Sequence, residues 1–294
     1  MVAISLVGVP FYTLAQNSGV GLSVRALRDD GIDRVLNERY SSFMDFGDVT
    51  LPTLTVDDGP ANLKNYSHFL ACTDALFDAS QKLENGGMIF YLGGECSLIL
   101  GSAAGQREHL AGQPGVLWID AHGDFNTPQT TRSGFIGGMP LAFACGRGPQ
   151  FSPAIERRRP VVREDLVVHL GGRDFDPLES DALKASQIRL YPPSDVHEKG
   201  VRNVADEIAR SLANRSDWII CHLDVDAIDP TIIPAVNFPS QEGLTLEDIH
   251  EVVRTLAGTG KLKVFNLVGY NASLDKDRAS RKIILDLIAG LSFQ

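Results

Sequence analysis

The chain alternates between short, nearly continuous apolar runs and longer stretches in which apolar residues recur every third or fourth position. The runs at 4–9, 88–92, 116–120, 166–170, 188–191, 218–223 and 262–268 are rich in β-branched and aromatic residues, and a weaker one lies near 53–56. Apolar character at successive positions is what a strand covered on both faces requires. Between the runs, Val201, Val204, Ile208 and Leu212 form one face of a helix. Residues 64–85 predict a longer helix, stopped by Gly86 and Gly87. Ile283, Ile284, Leu287 and Ile288 line another near the C-terminus. Strands alternating with helices predict a parallel sheet wrapped by helices. No repeat, low-complexity tract or linker interrupts the pattern. The Pro/Arg-rich stretch 147–163 reads as an excursion, so residues 1–294 are expected to form one domain.

Composition narrows the function. A length of 294 residues, 44% of them hydrophobic and 22% charged, is ordinary for a globular chain with a sizeable core. A net charge of −10, which no basic stretch offsets, argues against an electrostatic nucleic-acid binder. No apolar run approaches the ~20 residues of a membrane-spanning helix. The opening MVAISLVGVPFY lacks the basic and small-residue pattern of a signal peptide. Cys72, Cys96, Cys145 and Cys221 show no short paired spacing, which points to reduced thiols and a cytoplasmic protein.

In an open parallel sheet, ligands bind beyond the carboxyl ends of the strands. Three motifs stand there: Asp120-Ala-His122-Gly-Asp124, Asp224-Val-Asp226-Ala-Ile-Asp229-Pro, and Glu95-Cys96 in LGGECS. Five aspartates converging in one crevice are costly without counter-charge, and no lysine or arginine is interleaved in either aspartate motif. Two divalent cations sharing bridging ligands would supply it. Carboxylate and imidazole donors suit Mn²⁺, with Fe²⁺, Co²⁺ or Zn²⁺ as alternatives. Asp229-Pro230 reads equally well as an Asx–Pro turn. Cys96 has no adjacent base to make it a nucleophile. It reads as a ligand, as a thiol close to the metals, or as packing.

These motifs resemble those of the ureohydrolase (arginase–agmatinase) superfamily. The resemblance runs from end to end, through GVPFYTLAQNSGVGLSVRALRDDGI, LGGECS, WIDAHGDFNTPQTTRSGFIGGMP, GGRDFDP, HLDVDAIDP and YNASLD. It implies a three-layer α/β fold on an eight-stranded parallel sheet, a binuclear manganese site, and hydrolysis of a guanidino or similar C–N bond by a metal-bridging hydroxide. By the resemblance Asp120 and Asp224 bridge the metals, Asp124 completes one, and His122 and Asp226 complete the other. Cys96 stands where the family has its remaining histidine ligand. Asp124 would also relay a proton to the leaving amine. The segment DFNTPQTTRSG resembles arginases more than agmatinases. It implies that Asn126, Ser133 and Asp176 hold an amino-acid-like end of a small-molecule substrate, although Asn126 and Ser133 could instead shape their loop. A homo-oligomer is in keeping with the family.

Four positions depart from the pattern. Cys96 replaces a histidine ligand, Gly137 a histidine assigned to proton transfer, Gly269 the glutamate that pairs with the guanidinium, and Phe238 a threonine lining the arginase pocket. The first two recur in the Nω-hydroxy-L-arginine amidinohydrolase of D-cycloserine biosynthesis, which HGDFNTPQTTRSGFIGGM closely resembles. That subgroup splits hydroxyarginine into hydroxyurea and ornithine but keeps the glutamate. The expected activity is hydrolysis of an arginine-derived guanidino or N-hydroxyguanidino compound. A ureido or other non-guanidine substrate, or a catalytically weak homologue with a binding role, are the alternatives. Gly137 and Gly269 also remove bulk, which predicts room for a larger substrate.

Overall fold

The computed structural model describes residues 3–40, 42–54, 56–83 and 87–293. Its strands are β1 (Ala3–Gly8), β2 (Ser42–Asp48), β3 (Met88–Leu92), β4 (Pro114–Ile119), β5 (Val167–Leu170), β6 (Arg189–Tyr191), β7 (Trp218–Asp224) and β8 (Leu262–Val268). They form one sheet in the order β2-β1-β3-β8-β7-β4-β5-β6. Every pairing is parallel. Helices cover both faces, which makes three layers. Among the described residues, no helix is long and apolar enough to cross a membrane.

The unbroken apolar runs follow from this layering. Successive side chains of a strand point to opposite faces, and both faces are buried. In β7, Ile219, Cys221 and Leu223 enter one core while Trp218 and Ile220 enter the other. In β4, Leu117 and Ile119 part from Val116 and Trp118 in the same way. The helices Val201–Arg215 and Ala279–Gly290 lie where the periodicity put them. The helix expected over 64–85 is shorter, Tyr66–Ser80, and Gly86 lies outside the described residues.

One strand was misplaced. Thr53 and Leu54 carry no regular structure and Val56 lies in a bend, while Thr55 is outside the described residues. The strand is instead β2, on the sheet edge, whose only neighbour among the described residues is β1. Edge strands carry charge and glycine that interior strands exclude. Asp45, Gly47 and Asp48 masked it, and the Asp45 and Asp48 carboxylates are taken up by Arg28.

The central strands β3, β8, β7 and β4 end side by side and deliver the motifs noted above. Beneath those ends, Trp118, His222 and Asn266 stand in register on β4, β7 and β8. The Trp118 indole stacks on the His222 ring at 3.8 Å and 5°. Its Nε1–H donates to Asp120 Oδ2 at 3.1 Å. The sheet itself therefore aims the first aspartate.

Candidate metal centre and substrate cleft

β4 ends at Ile119, and Asp120 Oδ1 accepts at once from the His122 backbone N–H at 2.7 Å. Asp124 sits at φ 49°, a left-handed conformation that aspartate tolerates better than most residues. β7 ends on Asp224 itself. A single tight turn, Val225–Ala227, lets Asp226 N–H donate to Asp224 Oδ1 at 2.9 Å. Asp226 Oδ1 accepts from Ala121 N–H at 3.1 Å, which ties the two aspartate motifs together. After β3, Gly93 and Gly94 both adopt positive φ, 99° and 71°. A Cβ on Gly94 would lie 2.5 Å from Phe11 O, so only glycine brings Cys96 in at this height. The Cys96 thiol donates to Asp224 Oδ2 at 3.1 Å and reaches Asp120 Oδ2 at 3.5 Å.

Cys96, Asp120, His122, Asp124, Asp224 and Asp226 all line one cavity of about 280 Å³, together with Asn126, Ser133, Asp176 and Phe238. Ligand atoms of Cys96, Asp120 and Asp124 lie within 4.8 Å of one another, and so do those of Asp120, His122 and Asp226. The two groups share Asp120. Burial, reinforced by the Asp120 carboxylate, pushes the Asp124 carboxyl well above its usual range. Burial and Asp226 raise Asp224 to about 7. Burial and the four aspartates drive the Cys96 thiol well up. His122 is lifted to about 12: burial opposes its charge, but Asp226 at 3.0 Å and Asp120 at 3.5 Å outweigh it. Asp124 Oδ2 is buried without a hydrogen-bond partner among the described residues. A buried acceptor with no donor, inside two overlapping sets of carboxylate, imidazole and thiol, suits a pair of divalent cations.

Two charge expectations change. Asp229 does not join the cluster; its carboxylate accepts from Thr231 N–H at 2.9 Å and Gly243 N–H at 3.0 Å, so it is a turn former. A cation does stand behind the aspartates. The Arg173 guanidinium donates to the backbone carbonyls of Gly171, Asp226, Ala227, Ser240 and Gln241. Its signal was the Arg of GGRDFDP, which lies outside both aspartate motifs.

At the other end of the cleft, Asn126 Nδ2 donates to Asp176 Oδ2 at 3.4 Å, and Ser133 sits exposed at the rim. The loops bearing Asn126 and Asp176 are joined by Glu179, a residue the sequence reading missed. Its Oε1 accepts from Phe125 N–H at 2.8 Å and its Oε2 from Asp176 N–H at 3.1 Å. Burial, against those two donors, raises it to about 7. The D-x-x-E spacing of Asp176 and Glu179 at a helix start was the available clue. Glu179→Ala strands two buried N–H groups, and about 2–5 kcal/mol of unfolding free energy is expected to be lost in urea titration. A loss within ~0.5 kcal/mol would mean that water takes over both bonds.

Neither glycine leaves room. A Cβ on Gly137 would overlap Phe135 Cζ and lie 2.7 Å from Cε1 and Cε2. A Cβ on Gly269, at φ 85°, would overlap Asp224 Oδ1 and lie 2.6 Å from Oδ2. The expected space for a larger substrate is filled by Phe135 and by a carboxylate.

Comparison with known proteins agrees with this geometry. The model of the arginase family matches residues 2–292. This chain belongs to the arginase family. It is 30% identical to the arginase of Bacillus caldovelox over 294 residues, covering 99% of this chain and 98% of that protein. The solved structure of that arginase superposes with a TM-score of 0.90, again covering 99% and 98% of the two chains. The mitochondrial arginase-2 of Bos taurus is 30% identical, over 98% of this chain and 84% of that protein. The arginase-family chain is accordingly a hydrolase of the binuclear-metal amidinohydrolase class, on the expected three-layer fold. These relatives are arginases, not hydroxyarginine hydrolases.

Proposed function

We propose that this arginase-family hydrolase cleaves a C–N bond of an arginine-derived guanidine, and that an Nω-hydroxyarginine-like compound is a better substrate than arginine. Gly269 carries this reading. Glycine has no side chain to pair with a guanidinium, and Asp224 occupies the place where one would start. A missing charge-assisted hydrogen bond of ~1.5–3 kcal/mol lowers binding or rate by about one to two orders of magnitude. A less basic hydroxyguanidine loses less. A neutral ureido head would be favoured by the same observation and is the second reading.

Cys96, Asp120 and Asp124 would hold one cation and Asp120, His122 and Asp226 the other, with Asp224 shared. Bound there, a pair of divalent cations supplies activated water at neutral pH. The protein's own groups do the rest. Asp176 takes the substrate's ammonium, and Asn126 and Ser133 donate to its carboxylate. The Asp124 carboxylate, whose Oδ2 has no donor among the described residues, takes a proton from the attacking water and returns it to the leaving amine. One C–O bond forms, one C–N bond breaks, and hydroxyarginine yields hydroxyurea and ornithine.

Metal analysis of protein purified without chelators tests this first, with Cys96→His alongside. About two cations per chain are expected. The softer thiol favours Fe²⁺, Co²⁺ or Zn²⁺ more than imidazole does. Cys96→His is therefore expected to bind Mn²⁺ about tenfold more tightly by calorimetry, as one better-matched ligand would give. Metal-free wild type that hydrolyses neither arginine, Nω-hydroxyarginine nor a ureido analogue would leave a binding protein on an enzyme's fold.

A further inference from the structure

The ring that fills the place over Gly137 belongs to a continuous aromatic surface. Phe135 N–H donates to Ser133 Oγ at 3.2 Å, and the tight turn Ile136–Gly138 follows directly, fixing where the ring can go. The Phe135 and Phe238 rings lie 5.8 Å apart at 44°. Phe238 meets the His122 imidazole edge-on at 6.1 Å. One wall of the cleft, running from a metal-site imidazole outwards, is therefore apolar. The same cavity is also lined by Asp176, Asn126 and Asp174, whose carboxylate lies 4.0 Å from His122 Nε2. We propose that Phe135, seated over Gly137 and paired with Phe238, determines specificity by taking a substituent on the guanidine nitrogen, so that N-substituted guanidines are the preferred substrate class. This rests on the reading above, in which a guanidino-type head sits against the metal site.

Hydrogen-bond supply sets the preference. A bare guanidinium turned to this wall buries N–H groups against rings that offer no good acceptor. A nitrogen carrying a methyl group presents one donor fewer and gives the rings a group to pack on, while a hydroxyl exchanges an N–H for an O–H on a less basic head and likewise sets a substituent against the rings. A guanidinium held instead by its charge on the ring faces is the competing arrangement. It would set a cation beside two divalent ones.

The test uses the metal-loaded protein with arginine, Nω-hydroxyarginine and Nω-methylarginine, measuring calorimetric binding and turnover for wild type, Phe135→Leu and Phe135→Ala. Wild type is expected to bind both substituted compounds at least about tenfold more tightly than arginine, the scale of one well-packed group in an apolar pocket. Phe135→Ala should bring that ratio close to one, through KM more than kcat, with Phe135→Leu between. An unchanged ratio in Phe135→Ala, no preference in wild type, or arginine binding falling most would overturn the proposal. If the binding order is as expected but nothing is hydrolysed, the wall stands and the hydrolytic reading fails. A second measurement checks the packing itself: Gly137→His should lower the melting temperature, and Phe135→Ala in the same chain should recover it. Equal loss in the single and double variants counts against the ring being what fills the site.

Discussion

Gly269→Glu is expected to cut hydrolysis on the order of a hundredfold rather than to create an arginase. By resemblance, the substitution restores the carboxylate that pairs with a guanidinium, and on sequence alone it is the obvious gain-of-function change. The backbone forbids it. Gly269 sits at φ 85°, where an L side chain is strained, at roughly 1–3 kcal/mol. The new Cβ would fall on the Asp224 carboxylate, 2.5 Å from Cγ and closer still to Oδ1. Asp224 cannot retreat without losing Asp226 N–H at 2.9 Å and the Cys96 thiol at 3.1 Å. A displacement of about 1 Å at a group central to the reaction costs on the order of a hundredfold. Gly269→Ala carries the same Cβ without the carboxylate, and should lose nearly as much metal and activity. Metal content and kcat/KM for Nω-hydroxyarginine and for arginine, measured on wild type and both variants, test this. Arginine hydrolysis gained in Gly269→Glu but not in Gly269→Ala would show that Asp224 yields, and that the chain is an arginase lacking only its anchor.

The same collision marks the boundary of what the sequence could say. The interior strands were legible because burial on both faces leaves an apolar signature at every position. β2 was not, because a strand with one neighbour has no need of one and carries Asp45, Gly47 and Asp48. The aspartate motifs were legible because two strand ends deliver charged residues at fixed short spacing. What escaped was set by distant partners. Glu179 binds Phe125 N–H across 54 residues, and Arg173 reaches Ser240 O across 67. Gly137 read as lost bulk because a glycine says nothing of which neighbour moves in. Phe135, two residues away, had no periodicity or charge to single it out. Asp229 erred the other way, as a charge close to a motif that local N–H groups had already claimed.

Removing the divalent cations is expected to leave a protein whose stability falls as pH rises, and returning them to reverse that slope. The site's carboxyls and His122 set the sign, because each holds its proton more tightly in the folded chain; His169 and His222, lowered by burial to about 4 and about 3, oppose them only below pH 6.5. In the folded chain Asp224 and Glu95 titrate at about 7, against 3.8 and 4.5 for ordinary side chains, chiefly through burial. Glu179 is raised to about 7 as well. Between those limits the unfolded chain has released protons that the folded chain still holds, so each step up in pH favours unfolding. His122, lifted from 6.5 to about 12 by Asp226 and Asp120 against the effect of burial, continues the trend above neutrality. Its contribution is complete below pH 6.5 and is lost on the way to 12. Cations invert the logic because they bind the ionised carboxylates and the neutral imidazole, so protons compete with them. At a hundredfold excess over Kd, binding adds about 2.7 kcal/mol, a rise of roughly 4–5 °C in Tm for a chain of this size. Scanning calorimetry at pH 5, 6, 7 and 8, with chelator and then with Mn²⁺, reads both slopes. A chelated protein whose Tm is flat or climbs over that range would mean the clustered carboxylates are already ionised and paired within the fold. The strongest physical reason to place cations among them would then be gone.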